Sequence, residues 1–259
     1  MYAITRRTVR QFLVGASLSA FLVGAPLAAA AEEFSDAQKK EIGDVVRDYL
    51  LKNPKLLREL FAELERVETQ ERELAAKSGI LETKDALFRS KYSHVAGNPE
   101  GDVTMVEFFD YNCGYCKRAF PDVQALIDGD KKLRVVIKEF PILGPGSLYA
   151  ARAAIASKKQ GKYWDFHAAL MNARGAVDEA RTLALAEEIG LDIDQLKKDM
   201  DAPEVREEIA EGQALASRMG INGTPSFVID DTLIPGALGI EELRKQIAEV
   251  REAGGCKVC

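Results

Sequence analysis

Everything else in the chain takes its place around the stretch Val103-Thr-Met-Val-Glu-Phe-Phe-Asp-Tyr-Asn-Cys-Gly-Tyr-Cys116. Its opening, Val103 to Phe109, is a short and mostly apolar run that predicts a buried strand. Lys117 to Ile127 follows with Ala119, Phe120, Val123 and Leu126 on one side, the pattern of an amphipathic helix that Pro121 should kink. Cys113 therefore stands where a strand ends and a helix begins. A helix N-terminus supplies positive potential and free backbone N–H groups, which favour the thiolate, the nucleophilic form of cysteine. Cys116 lies three residues on, about one helical turn inward. The first sulfur can attack an external disulfide, and the second can resolve the mixed disulfide that results. Gly114 and Tyr115, between them, are expected to tune how far the thiolate is favoured.

A lone C-x-x-C is ambiguous. Cys256-Lys-Val-Cys259 is a second such pair, and two pairs are also the outline of a four-thiolate zinc site. The apolar strand before Cys113, the amphipathic helix after it and the lack of a knuckle-like loop favour redox work, with no metal at that pair and no cofactor.

Further along, Leu133-Arg-Val-Val-Ile-Lys-Glu-Phe140 predicts a second strand, ended by Pro141 and the Gly144-Pro145-Gly146 turn. Residues 147–220 read as several short helices, broken near Gly161, Gly175, Gly190 and Pro203. Thr224 to Ile229 and Thr232 to Ile234 predict two more strands, and Ile240 to Val250 a final helix. Without the helical insertion 147–220 the order is strand–helix–strand, then strand–strand–helix, an α/β sandwich on a mixed sheet.

Three motifs in this order resemble the DsbA family of thioredoxin-fold proteins: Glu107-Phe-Phe-Asp-Tyr-Asn-Cys-Gly-Tyr-Cys116, Phe140-Pro-Ile-Leu-Gly-Pro-Gly-Ser-Leu-Tyr-Ala-Ala-Arg152 and Gly223-Thr-Pro-Ser-Phe-Val228. The resemblance covers roughly residues 93–250. It implies a thioredoxin fold with a helical insertion, over residues 92–251, preceded by an N-terminal helical extension. It also implies that Cys113 attacks, that Cys116 resolves, and that Pro225 is a cis-proline facing them. Thr224 would offer backbone to an extended substrate. Glu107, six residues before Cys113, matches the family's buried acid, which would relay a proton as Cys116 becomes a thiolate. An exposed strand-edge glutamate is the alternative.

The strongly oxidising DsbA proteins carry Pro-His between their cysteines; this chain has Gly-Tyr. Gly114-Tyr115 and the threonine before Pro225 resemble DsbC-type isomerases, which work as oligomers. The combination with an extra N-terminal segment looks most like ScsC-type proteins, some of them trimeric. An exported protein disulfide isomerase or reductase is the resulting expectation. Its partners would be unfolded or misoxidised exported proteins and a membrane redox protein that resets the active site. A dithiol oxidase, a copper- or zinc-binding thiol module and a dormant structural surface protein are the alternatives.

Residues 32–91 predict the helical extension. Ser35 is a good N-cap, and Ile42, Val45, Val46, Tyr49 and Leu50 recur at helical spacing. Asn53-Pro54 interrupts the run, and Pro54 suits the first turn of a second helix. There Leu57, Leu60, Leu64 and Val67 form a narrow stripe that continues to Leu74 and Leu81. Such a stripe can pack on the chain's own domain or form a self-association seam. The ScsC resemblance points to the seam, hence to a homo-oligomer with a trimer suspected. For the tail, residues 252–259, Gly254-Gly255 is a helix stop before Cys256 and Cys259. This possible second redox pair has three readings: an inert closed disulfide, a relay to Cys113/Cys116, or a soft-metal clip. His94 and His167 sit in no ligand-like cluster, and His167, with Trp164 and Phe166, is expected to be packing.

The amino terminus carries Arg6, Arg7 and Arg10, an uncharged apolar stretch from Phe12 to Ala30, and small residues at Ala29-Ala30-Ala31. That layout predicts a signal peptide over 1–31, cleaved near Ala31, and a periplasmic protein; a retained membrane anchor is the alternative, against which the alanine-rich end and Pro26 weigh. Thr5-Arg6-Arg7 only weakly resembles a twin-arginine signal. Loss of this leader leaves 32 basic and 41 acidic residues, a net charge near −9. With no basic block, nucleic acid is not an expected partner.

Overall fold

The computed structural model describes residues 34–259, so the expected leader lies outside the described residues. The chain divides into two units, the first ending at Arg58 and the second running from Glu59 to Cys259. In the first, α1 (Asp36–Lys52) starts where expected. The Ser35 side chain accepts the N–H of Gln38, and the Gln38 side chain accepts the N–H of Ser35. This reciprocal cap satisfies two donors that a helix start leaves bare. α1 buries none of its residues, and Ile42, Val45, Val46 and Tyr49 are exposed. Asn53 ends it, and α2 (Pro54–Arg89) begins at the proline.

Within the second unit α2 has two distinct apolar faces. Leu60, Leu64, Leu74 and Leu81, members of the expected stripe, are exposed. Ala76, Gly79, Ile80, Leu87 and Phe88 instead anchor the helix to the domain. At Gly79 a Cβ would stand 2.6 Å from the Arg218 carbonyl oxygen, so only glycine allows this approach. The buried core thus reaches back along α2 to Ala76, ahead of the first strand at His94.

The sheet has five strands in the order β1-β3-β2-β4-β5: β1 (His94–Gly97), β2 (Val103–Phe109), β3 (Leu133–Glu139), β4 (Ser226–Ile229) and β5 (Thr232–Pro235). β2 and β3 run parallel, and every other pairing is antiparallel. α3 (Gly114–Gly129) crosses between the parallel strands and continues through Pro121 as one helix. The insertion supplies α4 (Pro145–Ser157), α5 (Tyr163–Asn172), α6 (Glu179–Glu188), α7 (Ile193–Asp199) and α8 (Pro203–Arg218), and α9 (Ile240–Glu252) closes the domain. Gly161, Gly175 and Gly190, at three of the expected breaks, all take positive φ. This is a thioredoxin fold with a helical insertion and an N-terminal helical part.

Two expectations need correction. The strand expected from Thr224 starts at Ser226, because Pro225 has no N–H to give a ladder and its peptide bond with Thr224 is cis. β1 was not expected at all: four residues of His-Val-Ala-Gly carry too little apolar alternation to register.

Every residue of β2 is buried, and successive side chains enter opposite layers. Met105 and Phe109 join a core shared with α3, α9 and the insertion. Val106 and Phe108 join a second core built on Ile80, Leu87, Phe88, Leu215 and Met219. Lys138, 2 % exposed, pins the second layer: its ammonium donates to Ala86 O at 2.7 Å and Glu211 Oε1 at 2.9 Å.

Candidate active site

β2 delivers the loop Asp110–Asn112, and Cys113 is the N-cap of α3. The N–H of Cys116 points at Cys113 Sγ from 3.4 Å, and the Cys113 N–H donates to Asp110 O at 3.0 Å. Both cysteines are unpaired thiols. Cys113 keeps 6 % of its surface open, whereas Cys116 is sealed, which matches an attacking and a resolving sulfur. The Cys113 thiol donates to Thr224 O at 3.1 Å. Thr224 and Pro225 are therefore brought to the cysteines, with Pro225 in the expected cis form. Its carbonyl is taken by the Gly236 N–H at 2.9 Å, which fixes the loop to the end of β5.

Glu107 is not a strand-edge residue. It is 1 % exposed, on the face of β2 that carries α3, and neither carboxylate oxygen has a hydrogen-bond partner. Burial raises its carboxyl to about 8. Burial likewise pushes the Cys116 thiol far above the ordinary range, and the charge of Glu107 adds to that rise. The two acids thus share a dry site, in which a charged Glu107 opposes ionisation of Cys116. Neither Gly114 nor Tyr115 is forced by space. A Cβ on Gly114 would make only ordinary contact with Arg118, and Tyr115 is 61 % exposed under the Arg118 guanidinium, 4.2 Å from its ring centre.

The residues that hold this arrangement carry no mark of that role in the sequence beyond their polarity. Asp110 is 1 % exposed and accepts the N–H groups of Asn112, Ile142 and Leu143 at 2.7, 2.8 and 2.9 Å, as well as the Ser147 hydroxyl. Asn112 clamps Val177 from both sides, donating to its carbonyl at 3.0 Å and accepting its N–H at 2.7 Å. Lys117 donates to the carbonyls of Ala173 and Gly175. A polar cluster just before a nucleophile was the available signal. Behind it, Tyr111 and Tyr163 donate to Glu139 at 2.9 and 2.8 Å. His167 is packed as expected, fully buried, with Nδ1 3.1 Å from the Tyr111 hydroxyl.

Cys256 and Cys259 form a disulfide at the other end of β2, where Cys259 Sγ lies 3.9 Å from Thr104 O. Five residues of strand, about 17 Å at 3.3 Å each, separate Thr104 from Phe109, the residue that leads to Cys113. The two pairs of one chain thus lie at opposite ends of β2, out of contact with each other in this structure.

A DSBA-like thioredoxin domain matches residues 104–248, and a Copper resistance protein ScsC N-terminal domain matches residues 38–71. A thioredoxin-like oxidoreductase from Silicibacter pomeroyi DSS-3 is 52% identical, with a TM-score of 0.64 over 65% of this chain and 97% of that one. The thiol-disulfide exchange protein alpha-DsbA2 from Wolbachia pipientis is 33% identical, with a TM-score of 0.65 over 70% of this chain and 98% of that one. A linker-deletion mutant of Proteus mirabilis ScsC is 25% identical, with a TM-score of 0.65 over 86% of this chain and 100% of that one. Curated relatives named Na(+)/H(+) antiporter NhaA also match, and the chain spans 23 to 29% of the length of the first of them.

Proposed function

The chain belongs to the DSBA-like thioredoxin domain family, and we propose that it is an exported enzyme that rearranges protein disulfides as an isomerase or reductase. The observation that carries this is the asymmetry of the two sulfurs. Cys113 thiolate attacks a substrate disulfide, forms a mixed disulfide and releases one substrate thiolate. Resolution by Cys116 then requires deprotonating a sealed thiol that burial holds protonated. That step is slow, so a second substrate thiolate has time to displace Cys113 and leave a new substrate disulfide. Electrons balance with no net oxidation, which is isomerisation.

Exposed Tyr115, Ile142 and Leu143 support an unfolded polypeptide as substrate. Tyr115 follows Cys113 by two residues, and both Ile142 and Leu143 are tied to Asp110. The uncovered apolar residues of α1 and α2 support a homo-oligomer, a trimer by likeness to ScsC-type proteins. A membrane redox partner would keep Cys113 and Cys116 reduced, in the periplasm.

Recovery of ribonuclease activity from a scrambled-disulfide preparation tests the reading. The chain and a Leu60→Lys/Leu64→Lys variant are compared, with sedimentation to read their assembly. Recovery by the chain, diminished in a variant that dissociates, is the expected result. No recovery, with fast oxidation of reduced ribonuclease, would replace the isomerase by a dithiol oxidase.

A further inference from the structure

The Cys256–Cys259 disulfide is held by more than its own bond. Asp230 occupies the turn between β4 and β5 with a φ of 51°, the one positive φ outside glycine among the described residues. That left-handed turn aims its carboxylate, 6 % exposed as a residue, at the cysteine segment. Asp230 Oδ1 accepts the N–H of Lys257 at 2.7 Å and of Val258 at 3.0 Å, and lies 3.3 Å from Cys256 Sγ. Arg89 donates to Cys259 O at 2.7 Å, and Val258 packs on the second core. None of these contacts needs the S–S bond, so when it opens the backbone of residues 256–259 and the Asp230 carboxylate stay held, and the two sulfurs separate to non-bonded distance beside that carboxylate. Ligand atoms of Asp230, Cys256 and Cys259 lie within 4.8 Å of one another.

We propose that Asp230, Cys256 and Cys259 form a redox-gated site for a zinc-class divalent cation, shut as the disulfide and open as the dithiol. Two thiolates and one carboxylate on a C-x-x-C spacing suit a tetrahedral ion, whose fourth place a water can fill. The carboxylate, a hard donor, selects zinc over monovalent copper, which prefers sulfur alone. A carboxylate also opposes thiolates beside it, and a divalent cation removes that repulsion. An external dithiol opens the site: it becomes a disulfide, and Cys256 and Cys259 become two thiols. Metal entry then releases two protons, one from each thiol. Oxidation by a disulfide reverses both steps and expels the ion.

The test uses the full chain with Cys113→Ser and Cys116→Ser, so that the other pair takes no metal. Zinc is titrated before and after reduction with a phosphine. We expect about one zinc per chain when reduced and none when oxidised. Asp230→Asn keeps an oxygen for the two N–H groups while losing the charge, and should weaken zinc by about 10- to 100-fold or more. In the unsubstituted reduced chain, zinc should also slow alkylation of Cys256 and Cys259, read by peptide mass. No zinc in the reduced chain, unchanged affinity in Asp230→Asn, or unprotected cysteines would overturn the site. Ribonuclease refolding is not part of any readout, so failure here leaves the proposed isomerase standing.

Discussion

The carboxylate of Asp110 and the hydroxyl of Ser147, 37 residues apart in sequence, meet at 2.7 Å beneath the loop that presents Cys113. With the N–H groups of Asn112, Ile142 and Leu143 on the same carboxylate, one side chain joins the nucleophile's loop to the start of the helical insertion.

Asp110→Ala leaves several buried donors without an acceptor, each costing about 1–3 kcal/mol if no water replaces it. We expect a loss of roughly 3 kcal/mol, read as a lower urea midpoint with an unchanged slope. Asp110→Asn, which keeps an acceptor, should fall less. Equal stability of Asp110→Ala and the parent chain would mean that the carboxylate holds nothing.

Glu107 gives a pH signature. Its carboxyl rises to about 8 from an ordinary value near 4.5 by burial, so the folded state binds a proton that the unfolded state has lost. The stabilisation is fully present below about pH 4.5 and is lost as pH rises through about 8. At 1.36 kcal/mol per unit that interval is of order 5 kcal/mol. Glu107→Gln should flatten this slope and gain relative stability above pH 8. In rapid-mixing experiments it should also slow resolution of a mixed disulfide by Cys116, by about 100-fold. An unchanged pH–stability curve would show that Glu107 is already ionised in the fold.

Cys116→Ala removes the resolving sulfur but not the attacking one. Incubation with a disulfide-bonded peptide should therefore accumulate a stable mixed disulfide on Cys113, visible as one added peptide mass. Cys113→Ser should give none. If Cys113→Ser still forms the adduct, the roles of the two sulfurs are reversed.

Gly79→Ala places a methyl where the Arg218 carbonyl lies 2.6 Å away, backbone against backbone. A shift of α2 away from the end of α8 should cost about 1–3 kcal/mol. Gly43→Ala, with nothing within 4 Å, is the matched control and should be neutral or slightly stabilising, as alanine favours a helix. Thermal unfolding of the two variants side by side measures the difference.

What was legible in the sequence follows from how local each signal is. β2, β3 and the helix after Cys113 stand out because their apolar residues repeat within a few positions. The Ser35 cap and the Asn53-Pro54 break are likewise complete within one turn. Asp110 was not legible, since its partners Ile142, Leu143 and Ser147 come from a segment that only the fold brings near. The stripe on α2 shows the opposite failure. Leu60 and Leu64 repeat conspicuously yet stay uncovered in this chain, whereas the anchoring face includes Ala76 and Gly79, residues too small to mark a periodic pattern. Glu107 could be flagged by likeness alone, because nothing in its own neighbourhood of sequence says which side of a strand is dry.

The alternation along β2 has a consequence for how such a protein can change. Odd-numbered Met105, Glu107 and Phe109 serve the layer of α3, where the chemistry is done. Even-numbered Val106 and Phe108 serve the layer that grips α2. One seven-residue strand thus keeps two ledgers on opposite pages. An even position can drift to suit a different helical appendage while the odd positions preserve the cysteine site unaltered. Parity on a single strand makes the appendage an exchangeable part.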